Sequence, residues 1–577
     1  MKRFFSVLCT LLLCIPAFFA VMAETADDLF SDKDLTLADP SEAVDIVLTE
    51  GGVDITEPGV YRLSGQVADG SIRVAPATEG DVWLLLDGVS VHNEDGAALT
   101  SDGCDKLILT LAEGSVNSLT QGSATPAEED NDAAIYVRDD LTINGNGALT
   151  IESAYLDGIN CRDSLRIVSG DITVSAVDDG LVGKDEVTIG GGTITISAQT
   201  GDGIKATNAE DADRGFVAIA GGTLTITTGE GSASVSQTAS DGWGSRGGWE
   251  QQAEEDTPSQ KGIKAETTLT LSGGTLSIDS VDDALHAVDV TVSGGEMTLA
   301  TGDDGVHADN ALTVSGGTIT VTRSYEGLEG TDVTLSGGEI SITASDDGIN
   351  GAGGDSATSS DEGTFGASGR FGRDRFASST GTVCISGGMI SVSASGDGVD
   401  VNGDLEMTGG ELYVNGPESG GDGALDYDGS FTLTGGTVVA VGSAGMAQGV
   451  SDPSIPGTVM NASGSDVLEV LDSAGNVLIH FETLHAYSHA VLYSDRFTDG
   501  ETYTVTMGGN SQSVQMTTDS TGGMGFGGGR GGFGGGRRET PEAMPEGGSG
   551  ERPAREPGTA PESAPSEGES GSGEEKL

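Results

Sequence analysis

The sequence predicts an all-β chain folded as a right-handed parallel β-helix of about 21–22 residues per coil. Three observations predict it. Between residues 141 and 436, a segment of the form V/L-T-I-S-G-G-T-I-T-I followed by D-D-G-I keeps returning. The second Gly of each pair falls at Gly192, Gly222, Gly274, Gly295, Gly317, Gly338, Gly388, Gly410 and Gly436, with gaps of 30, 52, 21, 22, 21, 50, 22 and 26 residues. A short, strand-rich period of this kind marks a solenoid, and the long gaps are one unit plus an insertion. Second, apolar residues alternate with Thr or Ser inside each unit, which is strand periodicity. Third, Ser-Gly-Gly and Asp-Asp-Gly recur where tight corners need residues that tolerate positive φ.

Residues 290–309 (VTVSGGEMTLATGDDGVHAD) show one unit in full. Its three short strands, VTV, EMTL and GVHA, and three corners close one coil. The inward Val, Ile and Leu are buried only when coils stack. The same pattern is legible upstream at 141–145 and 165–170, and in strands around 71–74, 82–86 and 107–111. No βαβ alternation or long helical period appears. The organisation read from these patterns is a leader at 1–23, a linker at 24–43 and the β-helix at 44–450, with low-complexity insertions at 229–260 and 351–381. A small β domain of hairpin-like strands follows at 451–520. A Gly/Arg-rich and then Pro/Glu/Ser-rich tail fills 521–577, and its composition cannot bury a core, so it is expected to be disordered.

Lys2 and Arg3, an apolar run through Phe19, and Val21, Met22 and Ala23 read as a secretory signal peptide. A lipoprotein signal at Cys14 fits less well, because Leu13 stands where a small residue is wanted. No later run is long and apolar enough to span a membrane. The chain is therefore expected to be secreted, or held at the surface of a bacterium, as a monomer. Its formal charge is −65, from 26 basic and 91 acidic residues, and loss of the leader makes it more negative by two. Such a surface excludes nucleic acid and anionic lipid as partners. Cys104, Cys161 and Cys384 are far apart and read as small core residues.

The acidic corners carry the chemistry. Asp157, Asp178, Asp179, Asp202, Asp282, Asp283, Asp303, Asp304, Asp346, Asp347 and Asp397 occupy equivalent corner positions. Equivalent residues on successive coils stack about 4.8 Å apart. Two carboxylates at that spacing repel by about 1 kcal/mol in water and about 3–4 kcal/mol near a protein surface. Ca2+ would relieve that repulsion, because it accepts several oxygen ligands in irregular geometry and is plentiful outside cells. The simpler alternative is turn chemistry at Asp-Gly with solvent screening the row. The pairing of Asp on so many coils favours calcium.

The strings YRLSG (61–65), LLLDGVS (84–90), LTLAEG (109–114), DDLTING (139–145) and GIKA (203–206) resemble the bacterial, clostridial-type carbohydrate-binding β-helix proteins related in shape to polysaccharide lyases. The resemblance covers roughly residues 44–516. It implies a right-handed β-helix with calcium at Asp-rich corners and a polysaccharide ligand, cellulose or an acidic sugar. The chain departs from the pattern where Ala284 replaces a corner Gly and Tyr325, Glu326 and Gly327 replace Asp-Asp-Gly.

Charge selects the ligand. A polyanion such as polygalacturonate is repelled unless calcium bridges protein and uronate carboxylates. A neutral glucan wants a row of aromatics, yet aromatics are 5% of the chain and Trp243 and Trp249 lie in an insertion. The expected function is calcium-dependent binding of an acidic polysaccharide without cleavage. The alternative is a pectate-type lyase, in which Lys184, Lys205 or Lys264 would take the α proton of a calcium-bound uronide. Those lysines serve more simply as neutralisers of the acidic row. His286 and His307 stack one coil apart. His480, His485 and His489 have no metal-motif spacing and cannot share one strand face. Outward Thr-X-Thr rows (Thr193/Thr195, Thr223/Thr225, Thr318/Thr320) raise a third reading, an ice-ordering or purely structural envelope solenoid. Glu296, Glu339 and Ser391 interrupt those rows.

Overall fold

The computed structural model describes residues 29–126, 132–236, 259–351, 381–418 and 420–519. The described residues fall in one compact unit within Met1–Phe526. The leader at 1–23, most of both insertions and the tail lie outside the described residues.

Among the described residues the protein is all-β, with helix confined to short pieces such as Asp32–Leu35 and Ser232–Ser234. The strands form one 43-stranded sheet in which most pairs are parallel. Over much of its length each strand pairs with the third strand before it and the third after it, as Asp171–Ala176 does with Ala148–Ser153 and Thr193–Ala198. The repeat therefore stacks like on like. The strands expected at VTV, EMTL and GVHA are present, but GVHA of one unit runs into the VTV of the next, giving single strands at Leu285–Val292 and Val306–Val314.

Alternation sets the core. Thr193–Ala198 buries every second residue, and its inward Ile194 and Ile196 pair in register with Leu224 and Ile226. These columns merge into a single apolar core running from Leu48 to Tyr493. Burying each such side chain stabilises the fold by about 1.5–3 kcal/mol. Cys104 and Cys161 are buried in it, and all three described cysteines are free thiols.

The two kinds of corner use glycine differently. The second Gly of each Ser-Gly-Gly pair has positive φ, for example +89° at Gly274 and +90° at Gly295, as expected. The Gly of Asp-Asp-Gly does not. It is required by close approach instead: a Cβ on Gly180 would lie 2.4 Å from Ile196 Cγ2 and 2.5 Å from Gly203 O.

Beyond Pro453 the pattern changes to antiparallel. Gly457–Leu471, Val477–Ser494, Thr502–Met507 and Asn510–Gln515 form hairpins, and Val477–Ser494 also pairs antiparallel with Thr437–Gly442 of the last repeat. They close over a second apolar cluster around Leu468, Val470 and Val505. At the other end, part of the expected linker is anchored. A capping box holds Asp32–Leu35. Buried Asp34 there accepts from Lys106 Nζ (2.7 Å) and Thr142 Oγ1 (2.5 Å).

Candidate functional site

One strand row gathers most of the chemistry. In each repeat a short strand such as Ile204–Ala206 or Ile263–Ala265 buries its two flanking residues and turns its middle residue away from the core. Cross-strand register places these middle residues in one column. It begins with Asp54, Arg73, Thr100, Tyr136, Asn160 and Val182. It continues through Lys205, Lys264, His286 and His307. It ends with Glu329, Asn350, Asp400 and Asp426. From Lys205 onward the column passes from basic through imidazole to acidic along the sheet. Lys184 lies outside it, exposed just after Leu181–Gly183. With Tyr136, Arg138, Arg162 and Asp102 it lines an open cleft of about 440 Å³.

Beside this column runs the row of corner carboxylates. Asp157, Asp179, Asp202, Asp283, Asp304, Asp347 and Asp397 hold its inner positions, and each gives Oδ1 to the backbone N–H of the next repeat. The acceptor distances are 3.1 Å for Asp179 N on Asp157, 2.7 Å for Asp202 N on Asp179 and 2.8 Å for Lys261 N on Asp202. They continue at 3.1 Å for Asp304 N on Asp283, 3.2 Å for Glu326 N on Asp304, 2.6 Å for Asp397 N on Asp347 and 2.5 Å for Gly423 N on Asp397. These carboxylates thus satisfy main-chain donors at the corners, a structural role independent of any ion. Asp178, Asp282, Asp303 and Asp346 each sit one residue earlier, and the first three are less buried than the aspartates that follow them.

Charge compensation divides the row. Lys205 Nζ spans Asp179 and Asp202 at 3.0 and 3.2 Å, and Lys261 Nζ spans Asp282 and Asp283 at 2.9 and 2.6 Å. Burial opposes the charge on both lysines, yet the paired aspartates hold them protonated well above their ordinary range. His286 Nδ1 lies 2.9 Å from Asp283 Oδ2, and His307 Nδ1 lies 2.9 Å from Asp304 and 2.8 Å from Glu329. Burial would raise the Asp283 carboxyl, but His286 and Lys261 outweigh it and hold it ionised.

Further along, compensation stops. One oxygen each from Asp347, Asp397 and Asp400 lie within 4.8 Å of one another, and among the described residues none of the three is ion-paired. Burial, reinforced by Asp397 and Asp346, pushes Asp347 up to about 9. Burial likewise raises Asp397 to about 8 and, with Asp426 adding, Asp400 to about 6. Glu326 goes to about 8 through burial and Glu329. A partly buried, all-oxygen donor set with no ion pair among the described residues has the chemistry of a hard-cation site. Asp157, raised to about 8 by burial and then by Asp179 and Asp132, is similarly strained.

The structure brings most of the sequence-singled residues together but gives them different tasks. Lys205 is committed to two carboxylates, and Lys264 sits 3.3 Å from Glu266. Lys261, Glu329 and Asp400 escaped the sequence reading. Their signal is position alone: Lys261 precedes a corner Gly where other repeats have Asp, and Glu329 and Asp400 follow theirs by two. His480 contacts Glu469, His485 lies 3.5 Å from Glu418, and His489 is buried, so those three form no cluster.

Comparison with known proteins bears on this face. The family described as "Carbohydrate-binding domain-containing protein" matches residues 49–305 and 304–453. A protein of that description from Acetivibrio thermocellus is 38% identical over 149 residues, which is 25% of this chain and 51% of that protein. The chain thus spans about half the length of the curated relative it matches. Among solved structures, the polysaccharide lyase-like protein from C. thermocellum, a gadolinium derivative, is similar at 28% identity with a TM-score of 0.36. That match covers 47% of this chain and 96% of that one. Because the family match spans nearly all of the parallel sheet and the column it carries, the chain belongs to the carbohydrate-binding domain-containing family.

Proposed function

We propose that the chain is a secreted or surface-held right-handed parallel β-helix that binds calcium and, through it, an acidic polysaccharide such as polygalacturonate, without cleaving it. It would act as a monomer. The observation that carries the proposal is the Asp347–Asp397–Asp400 cluster, three carboxyls with no cationic partner among the described residues, on the outward face of a carbohydrate-binding family member. These three residues, with Asp346, would hold Ca2+, which would offset the local negative charge and offer a coordination position to a uronate carboxylate. Asp157, Asp178, Asp179, Asp202, Asp282, Asp283, Asp303 and Asp304 are weaker ligands in this reading, because Lys205, Lys261 and the histidines already neutralise most of them.

Two features favour binding over cleavage and an acidic over a neutral glycan. A general base must be neutral when it takes the proton, and Lys205 is held as a cation by Asp179 and Asp202. The aromatic of the column, Tyr136, is 5% exposed and offers no stacking platform. Affinity electrophoresis through gels containing polygalacturonate, with calcium and then with chelator, tests the proposal. Retardation only with calcium is expected. Equal mobility in both gels and in blank gels would remove the acidic-glycan reading and leave cellulose or a structural envelope role.

A further inference from the structure

His286 and His307 are not needed for calcium or glycan binding as proposed above, yet their surroundings are built. The rings stack one repeat apart with centroids 4.8 Å apart and planes at 22°. Each Nδ1 faces an acceptor: Asp283 Oδ2 for His286 and Asp304 Oδ2 for His307, both at 2.9 Å. A carboxylate can only accept, so Nδ1 carries the proton on each ring, and a metal ion at Nε2 would take the place of the second proton of the imidazolium. That is the carboxylate–histidine arrangement that orients an imidazole toward a metal. Both Nε2 atoms turn toward one further carboxylate oxygen, Asp309 Oδ1, at 3.9 Å from His286 and 3.4 Å from His307.

Asp309 reaches this position through an irregularity. The pairing of Leu285–Val292 with Val306–Val314 is regular from Leu285 to Ala287 and then shifts, so that Asp289 meets Ala311 and Asp309 falls in the bulge. The next pairing shifts at the same place, between Ala308 and Ala311. Bulges of this kind re-aim side chains, often beside functional sites. The three groups keep 19%, 20% and 29% of their side-chain surface exposed, so an ion can enter from solvent.

We propose that His286 Nε2, His307 Nε2 and the Asp309 carboxylate form a site for a borderline divalent cation of the zinc class, separate from the all-oxygen calcium cluster. A tetrahedral ion with bonds of about 2.0–2.1 Å needs ligand atoms about 3.3–3.4 Å apart. The Nε2 distances to Asp309 Oδ1 are 3.4 and 3.9 Å, and binding would require the two rings to tilt out of their stack so that the Nε2 atoms approach each other. The fourth position faces solvent and takes water. Two imidazoles and one carboxylate select zinc, nickel or copper over calcium, which prefers oxygen alone.

The test is equilibrium dialysis of the full-length protein against Zn2+ in millimolar Ca2+, with metal counted by elemental analysis. Cobalt(II) substitution adds a visible spectrum that reports tetrahedral nitrogen and oxygen ligands. One Zn2+ per chain is expected, undisplaced by calcium. His286→Ala with His307→Ala should abolish it, and Asp309→Asn should weaken it. Asp283→Asn and Asp304→Asn should weaken it about 10–100-fold by losing ring orientation. Asp309 lies outside the corner row, so its variant keeps the fold if the histidine variant does not, as a melt would reveal. Saturable zinc binding that is absent in wild type, or unchanged in both His and Asp309 variants, would overturn the proposal. Asp347→Asn with Asp397→Asn separates the two sites: it should remove calcium binding and leave zinc intact.

Discussion

In chelator, raising the pH from about 5 to about 10 forces charge onto Asp347, Asp397 and Asp400. Burial raises the first two carboxyls to about 9 and about 8 in the folded protein, against an ordinary value of 3.8. Between those limits the native state holds more protons than the unfolded chain, so stability is greatest at acid pH and falls as pH rises through the folded values. The size follows from geometry. Ionising Asp347 and Asp397 together puts two charges within 4.8 Å, which costs about 3.5 kcal/mol at an effective dielectric of 20. For a chain of 577 residues the unfolding entropy is of order 1 kcal/mol per kelvin, so a global melt would drop by about 3 °C. Differential scanning fluorimetry at both pH values, with calcium and with chelator, reads this directly. Calcium should abolish the drop, and Asp347→Asn with Asp397→Asn should remove both this part of the drop and the calcium effect. A wild-type melt in chelator that is flat or rises with pH, or a calcium effect that survives in the double variant, would refute the reasoning.

Three further outcomes test the frame that holds the site. Gly348→Ala places a Cβ 2.2 Å from Val392 Cγ1 and 2.6 Å from Gly398 O. It should cost about 1–3 kcal/mol in chemical denaturation. Ala284→Gly, at the equivalent corner, should change stability by only about 0.5–1 kcal/mol. Asp34→Ala leaves buried Lys106 Nζ with only Asp140, 3.6 Å away, and should cost about 2–3 kcal/mol. Burial alone would raise Asp34, but bonds from Lys106, Ser31 and Thr142 outweigh it and hold the group at about 2. Its contribution is therefore complete above about pH 4 and lost as pH falls toward 2, so acid melts of wild type and variant should converge there.

The repeat was legible because it is a local code. Alternation fixes which residues turn inward, and the Ser-Gly-Gly corners need a positive φ that only glycine adopts cheaply. The reason for glycine at the Asp-Asp-Gly corners was not legible, since the crowding at Gly180 comes from Ile196 and from Gly203 O of the next repeat. The carboxylate row could be read as a row. Its partners could not, because whether Lys205 or Lys264 reaches an aspartate depends on register and rotamer. Lys261 closes an insertion whose length hides its phase. The role of Asp309 depends on a single extra residue in one strand, which a period of 21 or 22 absorbs without trace. The anchoring of Asp32–Leu35 through Asp34 rests on contacts more than 70 residues away in sequence.

The bond from each corner carboxylate to the following repeat's N–H is indifferent to how much chain lies between the two residues. It spans 22 positions from Asp157 to Asp179, 59 from Asp202 to Lys261 and 50 from Asp347 to Asp397, with donor–acceptor distances of 3.1, 2.8 and 2.6 Å. The row counts repeats and not residues. Lengthening a flexible excursion costs only about 0.6 kcal/mol for each doubling, and here the ends are already pinned. Segments between Asp202 and Lys261 or between Asp347 and Asp397 can thus be exchanged, extended or cut back by evolution, or by an engineer grafting a foreign loop, while the carboxylates that flank them keep their places.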